Sequence, residues 1–101
     1  MLNINENKID AYEKKVRAQI KDIKAKMQIL EASAEKADAD MRIKYQNQLD
    51  KWKARFDDIE MKMNELADST GNAWDDLRSS IDTAVNELND AIENVKKQLS
   101  Q

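Results

Sequence analysis

The chain has 101 residues, 41% hydrophobic and 37% charged, with a net charge of −3, one glycine and no proline, cysteine or histidine. This excludes disulfide and thiolate chemistry and denies an all-β or doubly wound fold the turn residues it needs. With a mean hydropathy of −0.87, it matches the compositional bias of coiled coils and long helices.

Met1–Glu6 lacks the basic and apolar regions of a secretory signal, and no apolar run approaches the length of a membrane span. Cytoplasmic residence is therefore expected. Lys8 to Lys26 carry seven bases against three acids, a local excess of +4. From Asp68 onward there are seven acids against three bases, a local −4. The two regions should attract each other, within one molecule or between two.

From Val16 onward the apolar positions are Val16, Ile20, Ile23, Met27, Leu30, Ala34, Ala37 and Met41, alternating steps of four and three as in a heptad seam. Leu49, Trp52, Phe56, Ile59, Met63 and Leu66 obey the same rule. The four-four step through Tyr45 between the two runs is a stutter that a helix can pass through. Ser33, Asp38 and Asp40 could each cap a helix, which makes 33–40 the one place for a turn in this stretch. Four alanines and the unbroken phase oppose a turn, so the sequence predicts one helix over about 8–68, roughly 90 Å long. Pairs such as Asp10 with Lys14, Glu13 with Arg17, Asp22 with Lys26 and Asp58 with Lys62 are expected on its exposed face.

Ser69 to Asn72 form the firm break. Gly71 suits a left-handed helix stop and Asn72 an N-cap, followed by Asp75 and Asp76 where the helix dipole favours acids. A second helix over about 73–99 follows, with its seam on Trp74, Leu77, Ile81, Val85, Leu88, Ile92, Val95 and Leu99. The expected fold is thus all-α in a single domain over 1–101, a long coiled-coil helix with a shorter helix folded back as an antiparallel hairpin. A three-helix bundle with a turn near 33–40 is the alternative.

Without histidine or cysteine, the commonest general base, metal ligands and thiol nucleophile are missing together, and a single glycine cannot build a phosphate loop. The chain is read as a non-enzyme with no catalytic residue, metal or cofactor. Asp57, Asp58 and Glu60, and Asp38 with Asp40, are read as solvated faces, because no histidine or closing glutamate completes a metal site. Trp52, Phe56, Tyr45, Trp74, Met27, Met41 and Met63 fall on the seam and are read as packing, whereas Met61 does not. Lys14, Lys15, Arg17, Lys21 and Lys24 form a candidate anionic-surface contact on an amphipathic segment. Nucleic acid is disfavoured by an isoelectric point near 5.0 and the absence of a recognisable motif.

Lys36-Ala-Asp-Ala-Asp-Met-Arg-Ile-Lys-Tyr-Gln-Asn-Gln-Leu49 followed by Gly71-Asn-Ala-Trp-Asp-Asp-Leu77 resembles a family of short bacterial coiled-coil stress-response proteins from cyanobacteria and proteobacteria. The likeness covers about residues 8–95. Gly71, Ala73, Trp74 and Leu77 are its most specific part. Ser80 and Val85 stand where relatives often carry a glycine and a second tryptophan. The resemblance implies a cytoplasmic bacterial protein associated with stress, without catalytic residues.

The reading is therefore a non-enzymatic interaction or scaffold protein. A continuous first helix would leave the stripe of 9–34 uncovered by the hairpin, so a homodimer or other homo-oligomer is expected, together with an unknown protein partner. Peripheral binding to a membrane or lipid surface through 8–27 is the alternative.

Overall fold

Asp38 interrupts the long helix that the heptad phase predicts. A computed structural model describes the backbone of residues 4–99 and the side chains of 8–99. Met1–Asn3, read above for a targeting signal, lie outside the described residues. The helices are α1 (Ile4–Glu35), α2 (Ala39–Asp68) and α3 (Asn72–Leu99), and there is no strand among the described residues. The continuous helix over about 8–68 is thereby corrected, and the architecture is the alternative, three helices with a turn inside 33–40.

Of the three candidate caps, Asp38 does the capping. Its carboxylate accepts from the Met41 N–H at 2.9 Å, and its backbone is extended at φ −69°, ψ 171°. The end of α1 tightens, with the Lys36 N–H bonded to the Ser33 carbonyl and the Ala37 N–H to that of Ala34. Local propensity loses here to burial. Breaking the helix forgoes a few backbone hydrogen bonds at about 1 kcal/mol each. Closing it buries Val16, Ile23 and Leu30 to 3% exposure or less, at roughly 1.5–3 kcal/mol per side chain relative to a free stripe in water.

The second connection uses ordinary turn chemistry. Ser69 ends α2, its N–H and hydroxyl both donating to the Leu66 carbonyl. Gly71 is left-handed at φ 59°, and its carbonyl accepts from the N–H groups of Trp74 and Asp75. The expected cap at Asn72 is corrected by one position. Asn72 is the first residue of α3, because the chain reverses at Gly71 and presents that carbonyl to the helix.

The helices run up, down and up in a body 56 × 19 × 16 Å. Long-range bonds fix the directions. Tyr12 reaches Arg78 and Asp82 while Lys26 reaches Asn89 and Glu93, so α1 and α3 are parallel. Between them runs one core of Tyr12, Val16, Ile23, Leu30 and Ala34 from α1, Tyr45, Trp52, Ile59, Met63 and Leu66 from α2, and Ile81, Val85, Leu88, Ile92 and Val95 from α3. α1 and α2 share the thinnest of the three interfaces. No helix among the described residues is long and apolar enough to cross a membrane.

Candidate interaction surface

The seam residues read from the sequence all face inward. Val16, Ile23, Leu30, Trp52, Ile59, Leu66, Ile81, Leu88 and Ile92 are buried, and Ile20, Met27, Met41, Phe56, Trp74 and Leu77 are half-buried. The stripe on α1 that called for a second molecule is thus covered from within, by α2 and α3 of the same chain. Among the described residues, Ile29, Ile43 and Met61 are the large apolar side chains left exposed, at 60–63%.

Part of the half-buried set clusters, while Met41, Trp74 and Leu77 lie elsewhere. Ile20 and Met27 on α1 and Leu49 and Phe56 on α2 line one groove along the thin α1–α2 interface. Each helix contributes residues seven apart, so the groove floor has two apolar layers, Ile20 with Phe56 and Met27 with Leu49. Its α1 wall is basic beside Ile20, with Arg17, Lys21 and Lys24, and carries Glu31 beyond Met27, and its α2 wall carries Asp57 and Glu60 beside Lys53. Arg17 crosses to Glu60 at 3.6 Å, and the Lys24 ammonium lies 5.4 Å from the centre of the Phe56 ring. The five basic residues singled out above are all exposed, but only Arg17, Lys21 and Lys24 rim the groove; Lys14 and Lys15 stand nearer the start of α1.

Cross-helix charge contacts replace two of the expected pairs along one helix. Lys26 binds Asn89 at 2.9 Å and Glu93 at 3.0 Å instead of Asp22, and Arg17 takes Glu60 instead of Glu13. Asp58 with Lys62 forms as expected, at 3.0 Å. Lys62 is nevertheless half-buried between α2 and α3. The attraction between the basic first segment and the acidic last helix therefore operates inside one molecule. The hydrogen bond from Lys26 holds the Glu93 carboxyl below its ordinary value, with the lysine charge adding to the effect.

Two tyrosines tie α1 to the other helices. The Tyr12 hydroxyl donates to the Asp82 carboxylate at 2.5 Å and to the Arg78 carbonyl at 3.1 Å. Burial raises its pKa well above the ordinary value, and the bond to the Asp82 carboxylate and that group's charge raise it further, against a smaller lowering by Arg78. Its ring meets Trp74 at 6.2 Å, and Arg78 lies 5.2 Å from the Trp74 ring on the other contact. Tyr45 donates to the Met27 carbonyl and stands edge-on to Trp52 at 6.0 Å; burial, with the Glu31 charge behind it, raises its pKa. Tyr45 lies in the core, as its seam position led one to expect, whereas Tyr12 was not singled out in the sequence. Tyr12 sits four residues before Val16, in step with the seam, and that spacing was the available signal.

Among the described residues no three acidic side chains are gathered closely enough to hold a metal ion. Comparison with known protein families, characterised proteins and solved structures gave no match to this chain.

Proposed function

We propose that this chain is a non-enzymatic helical interaction protein, with a coiled-coil manner of packing, that receives an amphipathic helix of a protein partner in the α1–α2 groove. The observation that carries this is the two-layer apolar floor of Ile20, Met27, Leu49 and Phe56, the part of the seam that the three helices leave half open. A helix bearing apolar residues seven apart meets both layers, as in other helix-in-groove complexes. The basic α1 wall favours a partner with acidic residues beside its apolar stripe. A role in the cytoplasmic stress response belongs to the same proposal and rests on the resemblance at Gly71–Leu77.

Differential capture tests it. Wild-type protein and the double variant Ile20→Lys with Phe56→Lys, verified as folded by circular dichroism, are used as baits in lysates of stressed cells. Loss of specific partners from the variant alone supports the groove; identical sets from both baits contradict it.

Exposure of Lys14, Lys15 and Lys21 on α1 favours a second reading, adhesion to an anionic membrane surface. With Val16 and Ile23 buried in the bundle and Ile20 and Met27 half-buried on the groove floor, adhesion by the closed form is mainly electrostatic, worth about 1 kcal/mol per lysine near the surface. Co-sedimentation with anionic but not neutral vesicles, abolished by salt, would support that reading over the groove.

A further inference from the structure

We propose that residues 36–38 are a hinge about which α1 exchanges between two copies of this chain. In the resulting dimer α1 and α2 continue as one helix, and each α1 occupies on the other copy the place it holds in the closed monomer. The inference does not depend on the groove as a binding site.

Four observations converge on this hinge. First, the turn has no conformation that a helix could not absorb. Gly71 has the only positive φ among the described residues, and Asp38 departs from helical geometry at ψ alone. Second, Ala32, Ala34, Ala37 and Ala39 give the connection high intrinsic helix propensity. Third, the buried or half-buried positions Leu30, Ala34, Ala37 and Met41 continue through the turn in steps of four, three and four. A joined helix would keep its apolar side in phase.

The fourth observation is the register. Ile20 and Phe56 share one layer of the groove and Met27 and Leu49 the next, and the midpoint of each pair is residue 38. Arg17 with Glu60 falls within one residue of it. Two joined helices crossing antiparallel on a two-fold axis at Asp38 would reproduce these contacts between copies without a change of register. Ala37 and Ala39 flank that axis, where small side chains permit close approach. The contacts of α1 with α3, Tyr12 with Asp82 and Lys26 with Glu93, would be remade in the same way.

Little holds the turn closed apart from the contacts that exchange would restore. Its specific contribution is the Asp38 cap on the Met41 N–H, while joining the helices satisfies the unpaired carbonyls of one end and the N–H groups of the other. Asp38 also opposes exchange, because it would bring two carboxylates to the axis. The exchanged dimer carries a continuous helix over 4–68, about 100 Å long, with a groove near each end built from α1 of one copy and α2 of the other. Such a rod is bivalent, as a scaffold requires.

Sedimentation velocity of the full chain from micromolar to millimolar concentration tests the hinge with two opposed variants. Asp38→Ala removes a cap worth about fivefold in each of two chains, so the dimer association constant should rise about twenty-fivefold. Ala39→Pro should abolish the dimer and keep the melting temperature. Proline suits the first position of α2, and the extended Asp38 suits a residue before proline, whereas a joined helix would be broken. In the cysteine-free chain, the pair R17C with E60C, joined by a short bis-maleimide in the dimer fraction, should link two chains. Wild type and D38A both monomeric at millimolar concentration would overturn the proposal. So would an A39P dimer as strong as wild type, or cross-links formed only within single chains of the dimer.

Discussion

Replacing Tyr12 by Phe removes one hydroxyl and leaves the ring against Trp74 in place. The lost bonds are those to the Asp82 carboxylate at 2.5 Å and the Arg78 carbonyl at 3.1 Å. A hydrogen bond to a charged acceptor contributes about 1.5–3 kcal/mol. Asp82 is half-buried, so water can take over part of the acceptor's requirement. The net loss should be about 1.5 kcal/mol, which lowers the melting temperature of a domain of this size by about 6–12 °C. The pH dependence separates this bond from simple packing. Tyr12 has a raised pKa in the folded chain, so its contribution is complete below the unfolded value near 10 and is lost as pH rises above that value. Thermal melts followed by circular dichroism at pH 7 and above pH 10 should show the gap between wild type and Y12F narrowing with rising pH. An unchanged melting temperature at neutral pH, or a gap that widens in alkali, would refute the reasoning.

Ile59→Asp and Leu88→Asp each place an unpaired carboxylate at a position with 0% exposure and should unfold the bundle in urea titrations, whereas Asn64→Asp on the exposed face of α2 should stay within about 0.5 kcal/mol of wild type; equal midpoints for all three would show that the core is wrongly assigned. Gly71→Ala meets no atom within 4 Å, yet it forces an L side chain to φ 59°, and a cost of about 1–2 kcal/mol is expected from urea melts. No cost there would mean that the connection adopts another backbone path.

The inward faces were legible because burial on a helix follows a period that the sequence carries openly. Val16, Ile23, Leu30, Trp52, Ile59 and Leu88 lie where steps of three and four put them. The break at Asp38 was legible only as the alternative, since Asp38 stood among three candidate caps while the other local signals favoured a continuous helix. Its alanines favour helix, the phase passes through without a slip, and a lone Asp cap is weaker than the drive to cover Val16, Ile23 and Leu30. That drive arises only once α2 and α3 are present to receive them. The groove was hidden for a related reason. Ile20, Met27, Leu49 and Phe56 carry the same seam signature as their buried neighbours, and their half-exposure depends on how three helices divide one core. The cross-helix pairs of Lys26 and Arg17 likewise depend on rotations that a one-dimensional pattern does not contain. The mutual attraction of a basic first segment and an acidic last helix was already visible in the charges.

The closed turn at Lys36–Asp38 puts the α1 stripe in the core and leaves the α1–α2 groove as the open side, and one distance tests it most directly. Spin labels on the pair R17C and E60C, diluted with unlabelled protein at micromolar concentration, report the separation within a single chain by pulsed electron resonance. The structure has these side chains 3.6 Å apart, so the labels should lie within about 20 Å once the reach of their linkers is added to the 8–10 Å between packed helices. A continuous helix would separate them by about 65 Å at 1.5 Å per residue. A distribution centred near that longer distance would contradict the account.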